Sequence, residues 1–380
     1  MKLIQRNYDV ILEKKDLVDL YSFKNFPVYM GCTTDDFKND IFADMNWQIS
    51  RSSGAIQLNP LLPLEVVYKE EHGSGCVGNL WNKHHKSFAN FISEFNPKKV
   101  LEIGGLHGIL SKFYYEYDQK IDWTIIEPNP SPVEGVKANF IKGYFNENFK
   151  IEKDIDTIIH SHVLEHIYDP QLFLSHISNF ISDGQYLLFS LPNLEEMVKR
   201  KYTNALNFEH TIYLTEIYTK YLLNKYNFRI VKTQYFKDDH SIFYACVRDS
   251  NIERISLPEG LFDYNKKVFN DYIEYFKNLI SEINHKLKSK KNSSKLYLFG
   301  GHIFSLYLIN FGLDISEVNC ILDNDINKHE KRLYGTNLKV FSPKIIKEEE
   351  KPIIILKAGV YTEEIKEDIY RNVNSGAIFI

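Results

Sequence analysis

The sequence has few cysteines, no excess of basic residues and no long apolar run. Its four cysteines, in 380 residues, are scattered and form no Cys-x-x-Cys pair. We therefore expect neither a disulfide framework nor a bound metal. The formal net charge of −4 offers no basic face for nucleic acid or an acidic membrane. Because the N-terminus lacks a signal pattern and no apolar run approaches membrane-spanning length, we expect a cytoplasmic protein with no membrane partner.

The remaining composition is that of an ordinary globular protein. Apolar residues make up 44% and charged residues 25% of the chain, which argues against extended disorder. The length is enough for two or three domains, each with its own core. A small molecule or a nucleotide-linked substrate is the expected partner, and the sequence leaves the oligomeric state open.

Changes of pattern divide the chain into four stretches. We expect, in order, a small N-terminal lobe, a domain of alternating strands and helices, a helical connector and a second strand-glycine-helix domain, over residues 1–75, 76–250, 251–294 and 295–380. The alternation predicts a parallel sheet covered by helices on both faces. Two strands at 228–235 and 241–247 are joined by a turn too short for a helical crossover, so they should be antiparallel. Such a terminal hairpin is typical of methyltransferase folds rather than dehydrogenase folds.

A glycine turn after one predicted strand is the most informative segment. Residues 99–108 read KVLEIGGLHG and lead into a helical pattern. This arrangement brings backbone N–H groups and a helix N-terminus to a ligand. We expect Gly104, Gly105 and Gly108 to allow close approach of a cofactor, and Glu102 to reach its amino-acid end. A purely structural turn is the alternative interpretation.

The next strand ends in Glu127, which is placed to accept hydrogen bonds from ribose hydroxyls. Leu106 stands where the dinucleotide motif requires glycine for close approach to a pyrophosphate. The predicted cofactor is therefore S-adenosylmethionine rather than NAD. The next predicted strand ends at His160, and we expect His160 and His162 to line the cofactor cleft at the carboxyl edge of the sheet.

Residues 162–166 spell His-x-x-Glu-His, the inverted zinc-protease pattern. That motif needs one helix to bring both histidines to a metal. Here it begins at a strand end and enters a turn before Pro170, so we predict no metal site. His166 is interpreted as a hydrogen-bonded structural histidine.

A loop after the fifth predicted strand carries the adjacent residues Glu209 and His210. They could form an acid–base pair above the cofactor, with His210 the better base. A surface turn with a helix cap explains the same segment equally well. His240, at the hairpin turn, could reach the same cleft or serve only the turn. Tyr68 lies before the first long helix, in a segment that is either a hinge or a lid.

These residues together resemble the three-domain family of sugar methyltransferases typified by the C-methyltransferases of deoxysugar biosynthesis. The likeness runs from about residue 55 to the C-terminus. The motifs that carry it are Ile56–Leu58, Glu102–Gly104 with Gly108, Glu127–Pro128, Val163–Leu164 with His166 and Asp169, Glu209–His210 with Tyr213, and Gly300–Gly301 with Asp323. The resemblance implies an α/β fold: a class I S-adenosylmethionine methyltransferase sheet, Rossmann-like with an antiparallel terminal hairpin, between a small N-terminal lobe and a C-terminal Rossmann-like domain.

The resemblance also implies roles for individual residues. It makes His210 the general base and Glu209 its supporting carboxylate, and it places Asn207, Tyr213, His240 and Tyr68 on the substrate side. The family's zinc-binding cysteines are missing from the N-terminal lobe, so this lobe must fold without metal. Asn207 stands where the family often has tyrosine, so methyl transfer to carbon or to oxygen is left open.

The sequence therefore predicts a methyltransferase that uses S-adenosylmethionine to modify a sugar or a nucleotide-linked sugar. Two other hypotheses stay open: a catalytically silent protein that binds S-adenosylmethionine, and an NAD-dependent oxidoreductase.

Overall fold

A computed structural model of the chain describes residues 2–68, 78–289 and 294–380. Its N-terminal part contains a three-stranded antiparallel sheet of order β1-β3-β4. The elements of this part are β1 Leu17–Pro27, β2 Cys32–Thr33, β3 Phe42–Ser50, β4 Ile56–Leu58 and α1 Leu64–Val67.

The central part is built on a seven-stranded sheet of order β10-β11-β9-β8-β5-β6-β7. Its elements are α2 Asn79–Ser93, β5 Lys99–Ile103, α3 Ile109–Tyr114, β6 Asp122–Glu127, β7 Asn139–Lys142, β8 Thr157–Ser161, α4 Pro170–Phe180, β9 Tyr186–Pro192, α5 Leu194–Lys199, α6 Glu216–Lys225, β10 Phe228–Phe236 and β11 Ser241–Arg248. Strands β5 to β9 pair in parallel. Strand β11 is antiparallel to both β9 and β10, which confirms the predicted terminal hairpin.

Apolar runs explain why the central strands lie inside the sheet. Ile125, Ile158 and Leu188 are fully buried at the middles of β6, β8 and β9. A strand covered by helices on both faces needs apolar residues at successive positions rather than at alternate ones. Asp169 accepts a hydrogen bond from the Leu172 amide at the start of α4, as predicted from the proline that follows it.

The C-terminal part contains a five-stranded parallel sheet of order β15-β13-β12-β16-β17. Its elements are α7 Leu261–Ser289, β12 Leu296–Phe299, α8 Ile303–Asn310, β13 Val318–Leu322, β14 Arg332–Leu333, β15 Val340–Phe341, β16 Ile353–Ile355, α9 Thr362–Asp368 and β17 Ile378–Phe379. The long helix α7 and the strand-glycine-helix unit at β12 and α8 lie where the sequence predicts them. None of the helices in the described ranges combines the length and apolarity needed to cross a bilayer.

The N-terminal and C-terminal parts are in direct contact. Strand β2 pairs with β14, and the ring of Phe23 packs 5.1 Å from that of Tyr307 in α8. The Tyr307 hydroxyl donates a hydrogen bond to the Leu206 carbonyl, in the loop between α5 and α6. The four-part division of the chain stays a prediction, and these contacts show that the C-terminal part reaches the loop that carries His210.

Candidate functional site

A glycine turn connects β5 to α3 at the carboxyl edge of the central sheet. Gly104 and Gly108 have φ values of +79° and +67°, a left-handed conformation that favours glycine. A Cβ atom on Gly104 would lie 2.9 Å from the Val163 Cγ2 atom, and one on Gly105 would lie 2.7 Å from the Glu102 carboxyl carbon. Backbone conformation and close packing therefore both require glycine here, and the turn leaves backbone free to approach a ligand.

Two buried carboxyl groups lie beneath and beside this turn. Glu102 is 3% exposed and accepts a hydrogen bond of 2.8 Å from the Trp123 indole. Burial raises the pKa of Glu102 to about 7, against the lowering effect of the indole, and the nearby Glu127 raises it further. Glu127 ends β6 and accepts a hydrogen bond from the Asn129 amide. The predicted cofactor residues are thus brought together, and their contact with a cofactor stays a prediction.

His160 differs from its prediction. Its side chain is fully buried and stacks on the Phe189 ring with centroids 4.8 Å apart. Burial lowers the pKa of His160 to about 3, so the ring is neutral. Although it lies next to the last residue of β8, the imidazole packs against the rings of Phe173 and Phe189, so it belongs to the core and does not line an open cleft.

A cluster of one carboxylate and two imidazoles lies where β8 ends. Glu165 is fully buried, with Oε1 placed 3.9 Å from His166 Nε2. The His166 and His210 rings pack with centroids 5.1 Å apart, and His166 Nδ1 lies 3.9 Å from Glu209 Oε2. Burial favours the neutral form of Glu165, but the surrounding imidazoles hold its pKa at about 2. An ionised carboxylate therefore lies behind the predicted base.

The tautomer of His210 is set by its own loop. Its Nδ1 atom lies 3.1 Å from the Ala205 carbonyl oxygen, so Nδ1 carries the proton and Nε2 keeps a lone pair. Burial lowers the pKa of His210 to about 4, with a further lowering from His166 and an opposing effect from Glu165. The imidazole is consequently neutral near pH 7 and able to accept a proton.

Asn207 holds this loop in place. Its Oδ1 atom accepts hydrogen bonds from the amides of Glu209 and His210, at 2.7 and 2.9 Å. Its amide group donates to the Asn204 carbonyl. The predicted substrate contact of Asn207 stays a prediction, while its visible function is to orient the two residues that follow it.

The other predicted substrate residues lie in different surroundings. Partial burial raises the pKa of Tyr68, and so do the nearby carboxylates of Glu209 and Glu165. Tyr213 does not lie where the predicted substrate contact requires it. It is 2% exposed, and its backbone amide donates a hydrogen bond to the Ile56 carbonyl. Because residues 211–213 pair alongside β4, the Tyr213 ring is directed into the core.

A second imidazole cluster contains the predicted residues His162 and His240, together with His84 from α2. One ring nitrogen from each of the three lies within 4.8 Å of those from the other two. His162 and His240 both contact the Ser241 hydroxyl, at 2.9 and 2.6 Å. His240 is therefore a neighbour of His162 rather than of His210, because it directly precedes β11, whose first residue pairs with the end of β9.

Sequence reasoning missed His84 and Trp81. The Trp81 ring packs against His84, His162 and His240, with centroid distances of 5.2, 5.0 and 5.1 Å. The signal was present as two residues one turn apart at the start of a predicted helix. It could not show that this helix faces the ends of β8 and β9.

The central part of the chain is similar to known proteins. Residues 82–233 match the family model described as "Methyltransferase domain". No curated protein matches the chain. Similar solved structures include the plantazolicin methyltransferase BpumL in complex with a monoazolic desmethylPZN analog and SAH. The two chains are 13% identical with a TM-score of 0.35, and the match covers 45% of this chain and 84% of BpumL.

Another similar structure is a SAM dependent methyltransferase from Aquifex aeolicus, which is 15% identical with a TM-score of 0.34. The match covers 42% of this chain and 89% of the Aquifex aeolicus chain. The family match extends from α2 into β10, across most of the central sheet. It supports the prediction of S-adenosylmethionine as the cofactor. Over these residues the chain is similar to a methyltransferase domain, and the strand order confirms the predicted class I methyltransferase fold.

Proposed function

We propose that the protein is an S-adenosylmethionine-dependent methyltransferase that acts on a sugar or a nucleotide-linked sugar, with His210 as the general base. The observation that carries this proposal is the fixed tautomer of His210. Its Nδ1 atom is committed to the Ala205 carbonyl, and Nε2 is free to take a proton. The resemblance to sugar methyltransferases supports the acceptor class.

The carboxyl edge of β5 and β6 fits the proposed cofactor. Gly104 and Gly108 carry no side chains, so the cofactor can approach the backbone of this turn closely, and Glu127 would accept hydrogen bonds from its ribose hydroxyls. Glu102, held by Trp123, supports the turn from below. When bound, S-adenosylmethionine supplies an electrophilic methyl group on a sulfonium centre.

The chain's own contribution is to position the acceptor and remove its proton. His210 Nε2 would take the proton from the acceptor hydroxyl, or from the carbon beside an acceptor carbonyl, as the acceptor atom bonds to the methyl carbon and the bond between that carbon and the sulfonium sulfur breaks. The leaving group would be the neutral thioether S-adenosylhomocysteine. The His210 imidazolium formed in this way lies near the ionised Glu165, which stabilises its positive charge. Glu209 and Tyr68, which lie close enough to interact, would hydrogen-bond hydroxyl groups of a sugar.

Parallel titrations of the purified protein with S-adenosylmethionine and with NAD test the cofactor. We expect binding of S-adenosylmethionine only, because Leu106 obstructs the approach of a pyrophosphate. Binding of NAD alone would support an oxidoreductase instead.

Incubation with S-adenosylmethionine and a panel of nucleotide-sugars tests the acceptor. We expect a mass increase of one methyl group on at least one sugar, and NMR of that product would distinguish a C-methyl from an O-methyl group. Tight binding of S-adenosylmethionine without turnover of any sugar would favour a catalytically silent protein.

A further inference from the structure

The three imidazoles of His84, His162 and His240 form a cluster that the proposed methyl transfer does not use. They come from three separate parts of the fold, namely α2, the segment after β8 and the turn just before β11. One nitrogen of each lies within 4.8 Å of the others. His84 and His240 are buried, at 0% and 6% exposure, so this is an internal arrangement rather than a group of surface histidines.

Two of these rings converge on a single point. The Ser241 hydroxyl lies 2.9 Å from His162 Nε2 and 2.6 Å from His240 Nδ1. His162 Nδ1 lies 3.3 Å from the Glu165 carboxylate, which favours the tautomer with the proton on Nδ1 and a lone pair on Nε2. A carboxylate behind an imidazole is the usual support of a histidine that binds a metal through its other nitrogen.

A network of hydrogen bonds alone does not satisfy the cluster. His84 Nε2 is 3.0 Å from the Ser190 hydroxyl, but its Nδ1 atom is buried without a hydrogen-bond partner in the described part of the chain. An unpaired buried nitrogen costs about 1–3 kcal/mol. The backbone of His162 also adopts φ of +54°, a conformation that costs L-residues about 1–2 kcal/mol. Core packing gives no reason for either feature.

We propose that His84, His162 and His240 form a binding site for one divalent transition-metal ion of the zinc class. Neutral imidazoles suit such ions, at about 2.0–2.1 Å from the metal. The three nitrogens lie within 4.8 Å of one another, so side-chain rotation has to bring them closer together for one ion to contact all three. Three protein ligands leave a fourth position for water or for an oxygen atom of another molecule. Trp81 packs against all three rings and encloses the site on one side.

Cobalt binding to the full-length protein tests this site without S-adenosylmethionine or an acceptor, so its failure is distinct from failure of the methyltransferase proposal. The protein is first treated with a chelator and then titrated with Co²⁺. We expect one equivalent to bind, with visible absorption of the cobalt ion, and Zn²⁺ to displace it. Fluorescence quenching should accompany binding, and Trp81→Phe should reduce that quenching because Trp81 borders the site.

Variants locate the site. His84→Asn and His240→Asn should each weaken Co²⁺ binding by more than about 100-fold, and Glu165→Gln by roughly 10–100-fold, as expected for loss of a supporting carboxylate. His166→Asn should bind Co²⁺ like the wild type, which distinguishes this cluster from the neighbouring group of Glu165, His166 and His210. His176→Asn, on α4, is the matched control for a histidine outside both clusters.

Circular dichroism checks that each variant is folded. His240 lies at a hairpin turn, where a substitution disturbs the core less than one at His84, so His240→Asn tests the site even if His84→Asn does not fold. The fluorescence quenching of the wild type tests it without any substitution of a ligand. No Co²⁺ binding by the folded wild type would overturn the proposal. Unchanged binding in folded His84→Asn or His240→Asn would also overturn it, and so would loss of binding in His166→Asn with retention in His84→Asn.

Discussion

The His166 imidazole packs against the His210 imidazole with their ring centroids 5.1 Å apart. Both rings also lie close to the buried Glu165 carboxylate, whose pKa is held at about 2 by its imidazole neighbours. This arrangement gives the proposed base an ionised group that attracts its proton once it is protonated. The loop around His210, for which a surface turn was the alternative interpretation, is therefore part of a charged cluster.

His210→Gln should abolish most turnover without changing the affinity for S-adenosylmethionine. Glutamine has no basic nitrogen, and general-base catalysis contributes about 10²–10⁴-fold to rate. Single-turnover methyl transfer and isothermal titration with S-adenosylmethionine measure the two quantities separately. His176→Gln, on the remote helix α4, is the control and should keep full activity. A His210→Gln enzyme with wild-type kcat would remove His210 from the mechanism.

Tyr307→Phe should lower kcat because the Tyr307 hydroxyl anchors the His210 loop. It donates a 2.7 Å hydrogen bond to the Leu206 carbonyl from the C-terminal part of the chain. Loss of one such bond costs about 1 kcal/mol of stability, and we expect kcat to fall several-fold as the loop loosens. Urea unfolding and steady-state kinetics measure both effects.

Tyr218→Phe is the matched control for this experiment. The Tyr218 hydroxyl is also buried: it donates to the Ser53 carbonyl, which lies outside the His210 loop, and it accepts a hydrogen bond from the Asn265 amide. We expect a loss of stability at least as large, with kcat unchanged. Equal kcat losses in the two variants would mean that lower stability, and not the loop anchor, reduces turnover.

Strands β5 and β6 were predictable because each is an apolar run that ends at a glycine turn or in an acid. Strands β5, β6 and β8 and the hairpin of β10 and β11 lie within a few residues of their predicted positions. Strand β7 was missed because it is short, lies at the edge of the sheet and has no fully buried residue. Strand β3 was missed although its polar residues alternate with buried ones, which is the pattern of a half-buried strand.

The site was predictable where its residues are neighbours in sequence, and not where the fold brings them together. Glu209 and His210 could be recognised from one loop. The approach of His166 to His210 depends on the adjacent positions of β8 and β9 in the sheet. The approach of His84 depends on the rotation of α2 about its axis, which periodicity does not define relative to another element.

Glu127→Gln should weaken binding of S-adenosylmethionine by roughly 10–100-fold, because a hydrogen bond to a charged group is worth about 1.5–3 kcal/mol. Glutamine keeps the size of the side chain but offers a weaker acceptor to ribose hydroxyls. Isothermal titration measures the affinity. Glu116→Gln, at the exposed end of α3, should bind as the wild type does. Wild-type affinity in Glu127→Gln would place the ribose elsewhere.

Glu102→Gln should remove a pH dependence of stability that the wild type shows between about pH 4.5 and 7. Burial raises the pKa of Glu102 to about 7 in the folded protein, while the unfolded chain ionises it near its usual 4.5. In this window the folded state holds the extra proton, so stability falls as pH rises, by roughly 1 kcal/mol per pH unit. Glutamine resembles the protonated acid and can still accept the Trp123 hydrogen bond.

Urea unfolding of the cofactor-free protein at several pH values from 4.5 to 8 measures this difference. The free energy of unfolding of the wild type minus that of Glu102→Gln should decline from pH 4.5 to about pH 7. Above that pH it should stay constant, because Glu102 is then ionised in both the folded and the unfolded state. Taking the difference between the two proteins cancels the titration of all other groups. A difference that does not change with pH would show that Glu102 is already ionised in the folded protein, and that the contact with Trp123 alone is enough to stabilise its charge.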